Sequence, residues 1–96
     1  MAKPMSNAGA RSPNDPRLIW MDVDCRPRPK TEHHCVRCQR DLKPGQPHRW
    51  VCLALDGMHA WAPERPCDPA SETDLGMRPI GMDCARKIGL HNTYPA

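Results

Sequence analysis

Cys35-Val36-Arg37-Cys38, read together with Gly81-Met82-Asp83-Cys84 far downstream, decides how this chain is organised. Two thiolates separated by two residues can hold one metal ion from a tight turn, and a third at the start of a short helix can close on the same ion. The redox alternative for a Cys-x-x-Cys pair expects it at the mouth of a helix after an apolar strand. Here Lys43-Pro44-Gly45-Gln46-Pro47 follows within a few residues and breaks any helix, so metal binding is favoured.

Working outward, His48-Arg49-Trp50-Val51-Cys52-Leu53-Ala54-Leu55 reads as a strand. Asp56-Gly57 is a hairpin turn signal, and Met58-His59-Ala60-Trp61 reads as the returning strand. Period-two counting puts Val51, Leu53 and Leu55 on one face and Trp50, Cys52 and Ala54 on the other. Both faces are apolar, so either both are covered or one meets a partner. Cys52, mid-strand among apolar neighbours, reads as a small buried hydrophobe. The stretch from Pro63 to Pro79 mixes prolines with Glu64, Asp68, Glu72 and Asp74 without an apolar period, and is expected to be a solvated loop. Cys67 within it is either a free thiol or a ligand. Ile80 to Leu90 then carries a helix signature, with Asp83 as N-cap, Cys84 in the first turn and Gly89 just past the end. A thiolate in that first turn is stabilised by free backbone donors and the positive end of the helix dipole.

The N-terminal part reads differently. Residues 1–16 have Pro4, Gly9, Pro13 and Pro16 among small polar residues, the composition of a solvated tail. Residues 17–23 contain a short apolar run, Leu18 to Val23, that suits one edge strand. The run ends at Cys25-Arg26-Pro27-Arg28-Pro29, which opens a basic, proline-stiffened linker reaching Thr31. The expected division is therefore a flexible tail and linker over 1–31 and a metal-binding domain over 32–94.

Composition supports a small metal-held scaffold. In 96 residues there are 12 prolines, no phenylalanine and four aromatic residues, Trp20, Trp50, Trp61 and Tyr94, so an unaided core would be thin. The first residues lack the apolar run of an export signal, and no stretch approaches the roughly 20 apolar residues of a membrane span. Both observations favour a soluble, cytoplasmic protein whose six cysteines are reduced. The formal charge of +3 is too mild to argue nucleic-acid binding by itself.

The order of a two-thiolate turn, a β-hairpin and a helix offering another thiolate resembles the treble-clef zinc finger. More narrowly, Cys35-x-x-Cys38-x-Arg40-x-Leu42 with Gly81-x-x-Cys84-Ala85-Arg86-Lys87 resembles small bacterial and phage zinc-binding proteins of unknown function, over about residues 33–91. The resemblance implies a small α+β domain around structural Zn2+. A treble clef commonly takes both late ligands from the helix, but here Lys87 stands one turn past Cys84 and Gly81 three before it. His59 on the returning strand is the expected fourth ligand, with Cys67 next and His48 and His91 behind. His91 would stand about 10 Å from Cys84 along a continuous helix, and counts only if the chain folds back after Gly89. His33 and His34 adjoin the turn with poor geometry.

These readings favour a non-enzymatic, zinc-stabilised binding module. Arg26, Arg28, Lys30, Arg37, Arg40, Lys43 and Arg49 around the knuckle suit a nucleic-acid partner, while the acidic loop and tryptophans suit a protein. A regulator from a phage or mobile element that occupies a host protein is the alternative. Metal-dependent nuclease chemistry, with His59 as base near His91 or Asn92, is a third reading.

Overall fold

The computed structural model describes residues 8–24, 30–68 and 70–96; the start of the tail and most of the basic linker, Arg26 and Arg28 included, lie outside them. The protein is a small α+β domain with one antiparallel sheet and one helix. Its elements run β1 (Leu18–Trp20), β2 (His48–Ala54), β3 (His59–Trp61), β4 (Asp74–Gly81), α1 (Met82–Ile88), a 3-10 turn (Leu90–Asn92) and β5 (Tyr94–Pro95). The sheet order is β1-β3-β2-β4, and β5 also pairs with β2. Among the described residues no helix is long and apolar enough to cross a membrane.

The β2–β3 hairpin forms where Asp-Gly placed it. Asp56 Oδ1 accepts from the amides of Met58 and His59 at 2.8 and 3.0 Å, and Gly57 takes a positive φ of 71°. Pairing Ile19 with Ala60 and Leu53 with Ala60 sets three small or branched side chains in a row across the sheet. Both faces of β2 carry buried residues. Val51 and Leu53 join the main core with Met21, Val36, Leu42, Ile80, Ala85 and Ile88. Cys52 on the opposite face is fully buried and joined by a disulfide to Cys67 in the following loop.

Three expectations change. First, the acidic stretch is a loop only as far as Thr73: β4 is the longest strand, paired with β2 from Ala54↔Asp74 to His48↔Gly81. Gly76 and Pro79 hid it, and Pro79 is tolerated because β4 is the sheet's edge. Second, α1 starts at Met82 with Gly81 as an extended N-cap and no side-chain cap, so Asp83 lies inside the first turn. Third, residues 8–16 pack on the domain. Gly9 N–H donates to Trp20 O at 2.8 Å, Trp20 N–H to Ala10 O at 2.9 Å, and Ser12 N–H to Leu18 O at 2.8 Å. β1 pairs with β3, and Arg11 bridges to its centre at Ile19.

Gly9 is the residue that lets this segment approach α1. Its φ is +87°, and a Cβ there would stand 2.8 Å from the Ile88 carbonyl oxygen, a backbone atom that cannot rotate away. Gly9→Ala is therefore expected to cost about 1–3 kcal/mol, read as a lowered urea midpoint with unchanged slope. An unchanged midpoint would show that the contact carries no stability.

Candidate metal centre

Cys35 and Cys38 sit in a closed turn. Cys35 N–H donates to Arg40 O and Gln39 N–H to Cys35 O, both at 2.9 Å, and Gln39 takes a left-handed φ of 65° to complete it. Val36 N–H reaches Pro79 O at 3.1 Å, which clips the turn to the edge of β4. β4 runs directly into α1, and the third residue of that helix is Cys84. Two short elements thus deliver three sulfurs to one point: the Sγ atoms of Cys35, Cys38 and Cys84 all lie within 4.8 Å of one another. Thiolates on a tetrahedral ion at about 2.3 Å are separated by about 3.8 Å, so the cluster could hold a metal ion with small movement.

Electrostatics favour a negative centre here. The Cys35 thiol is pulled down to about 5, first by donation from the Cys84 thiol. Burial opposes this, and the backbone amides of Cys38, Gly81 and Arg37 pointed at its sulfur reinforce it. The Cys84 thiol is pushed up, because it is the donor to Cys35 and is itself buried. Without an ion the pair shares a proton; a divalent cation would take the place of that proton and stabilise both thiolates.

Arg37, which composition placed on a basic surface, points inward and is only 8% exposed. Its Nε donates to Met21 O at 2.6 Å, and Nη1 lies 3.6 Å from Cys84 Sγ. Its own carbonyl accepts from Asp24 N–H at 2.8 Å. The residue therefore places a positive charge beside the sulfurs and ties the segment after β1 to them. A divalent ion on three thiolates carries net charge −1, which one guanidinium balances. Arg49 is likewise engaged, with Nε on Thr93 Oγ1.

The structure does not bring His59 to the cysteines. Its Nδ1 lies 2.6 Å from Asp56 Oδ2, and its ring stands edge-on to Trp20 at 5.2 Å. The cause is register: His59 faces Trp20 across β1 and β3. His48 packs edge-on between His33 and Trp50, at 5.0 and 5.4 Å. His91 is exposed on the 3-10 turn after Gly89. Cys67 is bonded to Cys52, which corrects both the expectation of six reduced thiols and the candidacy of Cys67 for this centre. Among the described residues, no histidine belongs to either group of three metal-competent side chains. His59→Asn is accordingly expected to leave the bound-metal stoichiometry unchanged by elemental analysis; a loss of metal would return His59 to the ligand set.

The second group was not anticipated: Cys52, Cys67 and Asp74, with donor atoms again within 4.8 Å of one another. The Asp74 side chain is 0% exposed and pairs with Arg65 Nη1 at 2.9 Å, while Arg65 lies over the Trp61 ring at 4.0 Å. Hydrogen bonding from Arg65 holds the Asp74 carboxyl below the usual carboxylate range. Nothing beside Asp74 in the sequence marks it as buried, because its partners Arg65 and Cys52 lie 9 and 22 residues away.

No protein-family model, curated protein or solved structure matches this chain.

Proposed function

We infer that this is a zinc-stabilised, non-enzymatic binding module of treble-clef-like order, in which the ion is structural and held by Cys35, Cys38 and Cys84. The observation that carries the reading is the convergence of three sulfurs at the hydrophobic core, those of Cys35 and Cys84 buried in it and that of Cys38 packed against it, with three backbone amides on one of them and the buried Arg37 beside another. Zinc suits a thiolate-rich set better than a hard cation does. The amides and Arg37 supply the outer-shell support that structural zinc sites use. The test of the ion is native mass spectrometry of the full chain: zinc is retained by the wild type and lost in Cys35→Ser and Cys84→Ser. Retention in both variants would overturn the assignment.

A protein is the partner that the surface supports best. Leu55 is 61% exposed, and with Leu18, Ala54 and Trp61 it lines a shallow apolar depression. The basic cluster is smaller than composition implied, because Arg37 is buried and Arg49 is tied to Thr93. Nucleic acid is the second reading, favoured by Arg40, Arg86 and Lys87 around the mouth of the cysteine centre. Titration of duplex and single-stranded DNA at rising salt separates the two. The protein reading expects no binding near physiological salt; affinity that falls steeply with log salt would favour nucleic acid.

A further inference from the structure

We propose that Cys52, Cys67 and Asp74 form a second, redox-gated metal site, taken by a thiophilic divalent ion such as Zn2+ or Cd2+ once the Cys52–Cys67 bond is reduced. The three residues come from separate elements. Cys52 lies mid-β2 and is fully buried, Cys67 is half-buried in the loop above it, and Asp74 opens β4 with its carboxylate out of solvent. Cys52 Sγ is 3.6 Å from Asp74 Oδ2, and all three donor atoms fall within 4.8 Å. Asp74 Oδ2 is held by Arg65 and by the Asp68 amide at 2.8 Å. Oδ1 accepts only a 3.2 Å bond from Thr73 Oγ1 among the contacts described, which leaves a lone pair for an ion.

Charge and redox conditions both favour the site. Two thiolates and a carboxylate on a divalent ion carry net charge −1, and Arg65 beside them returns the group to neutrality. Arg37 stands in the same relation to the first cluster. A medium that keeps Cys35, Cys38 and Cys84 as thiols also exposes the Cys52–Cys67 bond to reductant. In such a medium two reductant thiols pass two electrons to the bond and leave as their own disulfide, yielding two cysteine thiols. The entering ion displaces those two thiol protons to solvent and bonds to both sulfurs and to Asp74. Cys67 is then fastened to β2 in either state, by the sulfur–sulfur bond when oxidised and by the ion when reduced.

The full chain equilibrated with Zn2+, with and without a phosphine reductant, is weighed by native mass spectrometry, which counts both metal and the two-hydrogen gain on reduction. The reduced wild type should carry one zinc more than the disulfide-bonded form, whatever the occupancy of the first centre, and Cys52→Ser/Cys67→Ser should carry the same count in both conditions. Asp74→Asn should weaken the added equivalent by at least about tenfold. Equal counts for the wild type in the two conditions would overturn the proposal. So would the same increment in the double-serine variant, because the added ion would then sit elsewhere.

Discussion

Removing the metal from the Cys35–Cys38–Cys84 centre is expected to unfold the domain at neutral pH. The sulfurs of Cys35 and Cys84 belong to the same buried cluster as Met21, Leu42, Val51, Ile80 and Ile88. An apo protein must keep a thiolate and a thiol, Cys35 and Cys84, buried against each other in the middle of that cluster, with only Arg37 and backbone amides to stabilise the charge. Structural zinc contributes an apparent 10–16 kcal/mol in small zinc-finger peptides, about as much as or more than the whole ~5–15 kcal/mol stability of an ordinary domain. With five large apolar side chains fully buried among the described residues, Ile19, Met21, Val51, Ile80 and Ile88, little remains to compensate. The near-ultraviolet circular dichroism of the tryptophans and the cooperative thermal transition should both vanish in excess chelator and return on adding Zn2+. A sharp transition that persists in chelator, with the thiols of Cys35, Cys38 and Cys84 titrating as free, would remove the metal from the account of stability.

Arg65→Met is expected to cost about 3–5 kcal/mol, because it leaves the buried Asp74 carboxylate without its cation. The methionine keeps most of the apolar stem over Trp61, so the loss reports charge more than packing. The pH dependence gives the sign. In the wild type the Asp74 carboxyl is depressed in the folded state, so its stabilisation is present above the ordinary carboxylate pKa and is lost as pH falls through the lowered value. In Arg65→Met the largest cause of that depression is gone and burial is opposed only by the Asp68 amide and the Thr73 hydroxyl, so the carboxyl protonates more readily and less stability is lost on acidification. The gap in urea midpoint between the two proteins should therefore narrow on acidification from neutral pH. Arg65→Met/Asp74→Asn should recover most of the loss, which would not happen if Arg65 acted only by covering Trp61.

The parts of this fold that were legible in the sequence are those encoded by neighbours. Cys35-x-x-Cys38 closes through contacts within six residues, and Asp56-Gly57 makes its own turn, so both could be read directly. Cys84 was readable because the helix start has a local signature, even though the cap is Gly81 and not Asp83. What failed depended on partners distant in the chain. β4 has a broken burial alternation and a proline, and it is a strand because β2 pairs with it along seven positions. Arg37 looked like surface charge because nothing beside it in sequence shows that Met21 and Cys84 will meet its guanidinium. His59 was chosen by its place on the hairpin, but pairing with β1 turns it to Trp20. The Cys52–Cys67 bond joins residues 15 apart whose spacing carries no pairing signal.

The apposition of Gly9 and Ile88, together with the Arg37 bond to Met21, has a practical corollary for anyone trimming the gene. A shortened version starting at residue 32, where composition alone would cut, loses the outermost partner of β3 and leaves the His59–Trp61 edge unpaired. Such a product would be prone to clumping through that edge whatever the state of the cysteine centre. A unit that keeps this edge covered therefore has to include the residues from about Ala8 onward.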